Sequence, residues 1–173
     1  MNEGLWFLAL ALAVWAGWTD WRSRRIPNWL TVPAFFVGLG AHWMVAGGKG
    51  VLFSMRGAAI ALALLFPFVL LRALGAGDWK LMGALGAFLG AQVTFLVLFG
   101  TVLITGIMGV VQITRLGRWR ATLANMRELI LLFFSFGWRI HPKINLDNPG
   151  ALSLPFGTAA AFSTLFCYGL ARL

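Results

Sequence analysis

The sequence predicts an all-α, polytopic membrane protein of about six transmembrane helices with both termini outside, and two observations carry that prediction. Residues of the set AVILMFWYC make up 60% of the 173, with 21 glycines besides, and only 11% are charged. An average soluble domain is about 25% charged, and a chain of this size folding in water would need that charge on its surface. The apolar surplus therefore faces lipid. The remaining charges are lopsided, 14 Lys and Arg against 5 Asp and Glu. In a soluble protein such an excess of base would point to nucleic acid. In a membrane protein it marks short cytoplasmic loops, which collect Lys and Arg, so no nucleic-acid partner is expected. The single cysteine, Cys167, excludes an internal disulfide and a multi-cysteine zinc site.

The uncharged runs give the spans in order. Residues 4–19, between Glu3 and Asp20, cover about 24 Å as a helix and nearly cross the hydrocarbon core. No Lys or Arg precedes this run, and Arg22, Arg24 and Arg25 follow it. That is the reverse of a cleaved signal peptide; it puts the N-terminus outside and the basic cluster in the cytoplasm. Residues 26–48 form the second span, with Pro27 at a helix start, Trp29 and Trp43 as interfacial anchors, and Gly47 and Gly48 at its close. Lys49 and Arg56 lie in or beside the next turn, and the third span runs from Val51 to Leu71, with a kink expected at Pro67.

The next uncharged run, Leu81 to Thr114, is 34 residues long, too long for one crossing and short for two. Charge decides: a hairpin near Gly90, Ala91 and Gln92 returns Arg115, Arg118, Arg120 and Arg127 to the cytoplasm. Its first arm, from about Asp78 to Ala91, reaches only about 21 Å. Either the bilayer thins there or the arm starts in a protein-lined recess. Residues 129–138 are too short to span and follow a basic loop, which predicts an interfacial or re-entrant helix. A polar break at 141–150 leads into the sixth crossing, 148–171, which contains Pro155. In this topology only Lys49, Arg56 and Arg172 among the basic residues lie outside. No repeat or linker divides the chain, so 1–173 reads as a single membrane-embedded domain.

With five acids, each position is informative. Glu3, Glu128 and Asp147 read as solvated loop charges. Asp20 and Asp78 fall at the cytoplasmic ends of their segments, so the topology brings both to one membrane face. Carboxylates a few ångströms apart cannot both ionise cheaply, and the pair then shares a proton. One member can deprotonate a water while its protonated partner hydrogen-bonds a scissile carbonyl. Spacing alone leaves a second reading open, in which each Asp caps a helix or pairs with a neighbouring base, Asp20 with Arg22 or Arg24 and Asp78 with Lys80.

Asp78 lies in GAGDWKLMGALGAFLG at 75–90, and Asp20 opens DWRSRRIPNWLTVP at 20–33. The first resembles the GxGD signature of membrane aspartic peptidases and, in its longer form GxGDxKLMxALGxxLG, the prepilin peptidase family. The second is similar to that family's D-x-x-x-x-x-I-P-N-x-L-T segment, and SLPFGTAAAF at 153–162 fits its last helix. The resemblance covers nearly the whole chain. It implies an aspartic endopeptidase in which Asp20 and Asp78 are the catalytic pair and Gly75 and Gly77 form the active-site loop. The glycines would permit a tight turn and leave room for an extended peptide. The implied partners are prepilin-like membrane protein substrates, cut at the cytoplasmic face of a plasma membrane, with water as nucleophile and no metal or cofactor. Position 79 is Trp where the family has small aliphatic residues, which is expected to reshape the substrate channel. Longer relatives carry four zinc-binding cysteines and methylate the new N-terminus; their absence here resembles the short branch serving Flp (Tad) pili. Archaeal preflagellin peptidases share the six-crossing plan, and a small transporter or channel subunit is the non-enzymatic alternative.

Weaker expectations attach to other residues. Lys80 either contacts substrate or snorkels at the interface. His42 and His141 lack partners at metal-ligand spacing and read as interfacial packing. The arginines at 115–127 set topology and can attract anionic lipid headgroups. Small residues from Gly83 to Gly90 would allow close helix contact.

Overall fold

The computed structural model describes residues 3–134 and 154–173, and all the regular structure among them is helical. The elements are α1 (Glu3–Ser23), α2 (Asn28–Leu70), α3 (Ala76–Leu116), α4 (Trp119–Phe134) and α5 (Phe156–Leu170). By length and composition α2 and α3 are each apolar enough to cross a membrane. Many of their large side chains, among them Phe36, Phe66, Phe99 and Ile107, are exposed. A surface of that kind is suited to lipid and not to water.

Both long helices are folded hairpins. In α2 the backbone leaves helical angles at Ala46 (φ −140°, ψ 16°) and Gly47 (φ 56°, ψ −138°). Only glycine occupies the latter region at little cost. The chain reverses there, since the rings of His42 and Phe53 lie 5.2 Å apart, whereas eleven residues of straight helix would separate them by about 16 Å. In α3 the break is Gly90 (φ 72°, ψ 175°). Residues on either side of it, Asp78 and Thr105, line one cavity, although a straight helix would hold them about 40 Å apart. The expected hairpin near Gly90 is thus present. Pro67 lies inside α2 with helical backbone angles, and its missing N–H leaves the carbonyl four residues earlier without its helical donor.

The first limb of α3, 76–89, is the centre of the molecule. Every residue from Leu81 to Gly90 is buried, so this short arm is walled by protein and need not match a bilayer in length. Both limbs of α2 flank it. Limb 48–70 runs antiparallel, with Gly57 against Gly86 and Leu62 against Gly83. Limb 28–45 runs parallel, with Gly38 against Ala87 and Asn28 beside Lys80. The break at Gly90 frees the last carbonyls of the arm from helical partners. The Ser54 hydroxyl donates to the Ala87 carbonyl at 2.6 Å, and His42 Nε2 is 2.9 Å from that of Phe88. His42 is therefore a buried packing residue with a defined hydrogen-bonding task.

Helices α1 and α5 pair antiparallel and close the other side. At one end Glu3 pairs with Arg172, whose guanidinium also sits 4.9 Å over the Tyr168 ring. At the other end Gly17 and Asp20 meet Gly157. Glu3 is thus an ion-pair partner and not simply a solvated charge.

The stretch expected as a basic loop before residue 129 is helical from Trp119 onward. Gly117, left-handed at φ 64°, ends α3, with its N–H and that of Arg118 returning to the carbonyls of Thr114 and Ile113. Trp119, Leu123, Met126 and Ile130 then recur at helical spacing, a signal that single charged residues obscure in a search for uncharged runs. The rest of the expected interfacial segment, 135–138, lies outside the described residues. So do the polar break at 141–150, with His141 and Asp147, and the start of the expected last crossing.

Candidate active site

A cavity of about 670 Å³ opens at the end of the bundle where α1 stops and α3 and α5 begin. Its walls hold Asp20 and Asp78 together, from segments 58 residues apart in the chain. The two carboxylates lie within reach of each other's charge.

Asp20 sits in the last turn of α1 and is 5% exposed. Its Oδ2 accepts the Gly157 N–H at 2.8 Å, and the Thr158 N–H also faces it. These are first-turn amides of α5, which have no helical acceptor and carry the positive end of the helix dipole. An anion placed there satisfies both. The approach is possible because α1 and α5 touch through small residues. A Cβ on Gly17 would lie 3.0 Å from Ala161 Cβ, and one on Gly157 would lie 3.0 Å from Asp20 Cβ. The Thr158 hydroxyl adds a 3.1 Å bond to the Gly17 carbonyl. Beyond Asp20, α1 ends where Arg24 turns left-handed (φ 52°), an uncommon conformation for a residue with a side chain. Arg24 lies within Coulombic reach of Asp20.

Asp78 is the third residue of α3, counted from the N-cap Gly75. Its carboxylate folds back on the Gly75 backbone N–H, a local cap of the helix it begins. The capping reading of the sequence is therefore satisfied for both acids, and it coexists with their shared cavity. Gly75 has φ −67° and ψ 139°, angles open to any residue. What position 75 requires is space, since a Cβ there would lie 2.9 Å from Asp78 Oδ2. At Gly77 a Cβ would lie 3.1 Å from the Ile26 carbonyl oxygen. The room that the two glycines leave is thus taken by the protein's own carboxylate and main chain. Ile26 also touches the Gly157 side of the cavity, 3.0 Å from a Cβ built there, and so wedges between the two acids' supports.

Other expected residues lie differently. Lys80 donates to Asn28 Oδ1 at 3.0 Å; Asn28 lines the cavity and Lys80 stands behind it. Trp79 faces away, its indole donating to the Leu62 carbonyl at 2.8 Å and stacking near Phe66, so it does not shape the cavity lining. Gly157 and Thr158 were not singled out from sequence. Their contribution is a pair of backbone amides, and the only trace of it is the Pro155 that opens α5.

Comparison with known proteins agrees with this arrangement. The type IV leader peptidase family model matches residues 6–110, a stretch that holds both acids. A prepilin leader peptidase/N-methyltransferase of Aeromonas hydrophila is 33% identical over 113 residues, covering 60% of this chain and 39% of the relative. The chain thus spans well under half of that relative's length. No solved structure matches significantly. The match runs over more than half of the chain, and the protein belongs to the type IV leader peptidase family.

Proposed function

We propose that this protein is an aspartic endopeptidase of six crossings that removes the leader of type IV pilin-like precursors, of the Flp (Tad) kind, at the cytoplasmic face of the plasma membrane. The observation that carries the reading is the pair of carboxylates, Asp20 and Asp78, on one cavity wall at the end of the bundle. Arg22, Arg24, Arg25 and Arg72 belong to the same end, and with both termini outside this end faces the cytoplasm. The whole chain 1–173 acts as one peptidase domain.

The chemistry follows from the pair. One carboxylate takes a proton from a water as the oxygen attacks the scissile carbonyl carbon. The other, protonated, hydrogen-bonds the carbonyl oxygen as it becomes an oxyanion. When the tetrahedral intermediate collapses, the C–N bond breaks and the leaving nitrogen receives a proton from the pair, which restores its single shared proton. The amides of Gly157 and Thr158 hold Asp20 in place through this cycle. The substrate's leader lies in the cavity, and the apolar helix that follows the cut stays in lipid.

The direct test is to reconstitute the purified protein in liposomes with a synthetic precursor peptide and identify the products by mass. Cleavage at one bond is expected; intact peptide would sink the reading. Because only the singly protonated pair is active, kcat/KM should trace a bell in pH, falling at low pH as both acids protonate and at high pH as both ionise. A profile flat from pH 4 to 9 would contradict a carboxylate pair.

Gly75→Ala probes the support of Asp78. The backbone angles suit alanine, but the new methyl meets the carboxylate. A displaced reacting group can cost about 10²-fold. The expected result is a kcat lowered to that order with melting temperature and KM little changed. A wild-type kcat would show that the position of the Asp78 carboxylate is not critical.

A further inference from the structure

The threonines of α3 follow a rule, with one exception. Thr94, Thr101 and Thr114 each donate to the carbonyl four residues earlier, at 2.6, 2.6 and 2.8 Å. Thr122 in α4 and Thr164 in α5 do the same. Thr105 does not: its Oγ1 is buried without a hydrogen-bond partner. Thr31 carries the other such hydroxyl among the described residues, and it does not line the cavity. Thr105 does line it, together with Asp20 and Asp78.

A helical threonine has an acceptor at hand in its own helix. A buried hydroxyl that leaves it, on a residue of a cavity wall, is left for a partner that arrives there. Its capacity is one donor and two acceptor lone pairs, which matches either group of a peptide main chain. An extended peptide drawn into the cavity loses water from every N–H and C=O, and each needs a replacement. Elsewhere in the lining Leu154 and Phe156 are apolar, the carboxylates are committed to chemistry, Asn28 Oδ1 is held by Lys80, and Arg24 and Arg25 can only donate, so the Thr105 hydroxyl is a neutral group able both to donate and to accept.

We infer that Thr105 is a positioning residue whose hydroxyl hydrogen-bonds the substrate main chain beside the scissile bond. The inference rests on the peptidase reading above and adds a specific anchor to it. The anchor comes from the second limb of α3, so substrate is held between the two arms of the Gly90 hairpin.

The test compares Thr105→Val, which keeps the shape and removes the hydroxyl, with Thr105→Ser, which keeps the hydroxyl. With the precursor peptide in liposomes, Thr105→Val should raise KM about tenfold, the worth of one neutral hydrogen bond, with kcat within about twofold. Thr105→Ser should recover a KM within about twofold of wild type. In the inactive Asp78→Asn background, Thr105→Val should weaken binding of the uncut peptide by a similar factor, which reads the contact without turnover. A KM unchanged in Thr105→Val, or raised equally by valine and serine, would overturn the assignment. Cleavage persisting in Asp78→Asn would instead overturn the aspartic reading itself, whatever the Thr105 variants do.

Discussion

Asp20→Asn and Asp78→Asn, made separately, should each abolish precursor cleavage while the protein stays folded in the membrane. Asparagine keeps the size of the side chain and one carbonyl oxygen, so the bond from the Gly157 N–H to position 20 and the backward cap at position 78 can both persist. What is lost is the ability to carry and exchange a proton. Removing a general acid or base costs about 10²–10⁴-fold, and a pair that acts as a unit loses nearly everything with either member. Glu3→Gln is the matched control. It removes an acid at the far end of α1, where Glu3 pairs with Arg172, and should leave kcat/KM unchanged. Full processing by either aspartate variant would rule out the aspartic mechanism. A small transporter using the same acids makes the opposite forecast: no cleavage by the wild-type chain, and a gradient-driven flux lost in both variants.

The parts of this molecule that are legible in the sequence are those written in side-chain type and spacing. Charge position alone turns the run from Leu81 to Thr114 into a hairpin, and Gly90 supplies the turn because its φ of 72° suits no other residue well. The sharing of one end by Asp20 and Asp78 follows from the same count of crossings. Three features are not legible, each for a physical reason. The helix from Trp119 was hidden because its apolar stripe is interleaved with arginines, so a search by uncharged runs begins ten residues late. The amides of Gly157 and Thr158 are backbone groups, brought to Asp20 by the close packing of α1 on α5 around Gly17. The role of Gly75 was legible as a glycine requirement but not by cause. The expectation is a tight turn and room for a substrate peptide, whereas the room is filled by the Asp78 carboxylate itself. In the same way nothing in the sequence separates Thr105 from Thr101, since the difference is which way a hydroxyl turns.

Gly86→Val should remove the folded protein altogether, and Gly86→Ala should lie between it and wild type. A Cβ on Gly86 would stand 2.5 Å from the Gly57 carbonyl oxygen and 2.8 Å from the Ala58 nitrogen. A Cβ on Gly57 would stand 2.1 Å from the Gly86 oxygen. Both obstacles are main chain, so no rotamer change relieves them and the two helices must part. Within a bilayer no hydrophobic force draws helices together, and close van der Waals contact at small residues carries much of their association. Separating the central arm from limb 48–70 of α2 therefore weakens the contact that holds the molecule's interior. Overpacking of a core costs about 1–3 kcal/mol where side chains can adjust, and more is expected here. A total stability of about 5–15 kcal/mol leaves little margin. Melting in detergent, followed by tryptophan fluorescence, should fall in the order wild type, alanine, valine, with no cooperative transition for valine. Gly106→Ala, where an added Cβ meets nothing within 4 Å, should melt as wild type does. Because Asp78 lies two turns before Gly86 on the same arm, the alanine variant should also lose kcat at temperatures where it remains folded. Equal melting of all four proteins would show that the arm can move away from α2 freely, and the cavity would then have no fixed wall to carry Asp78.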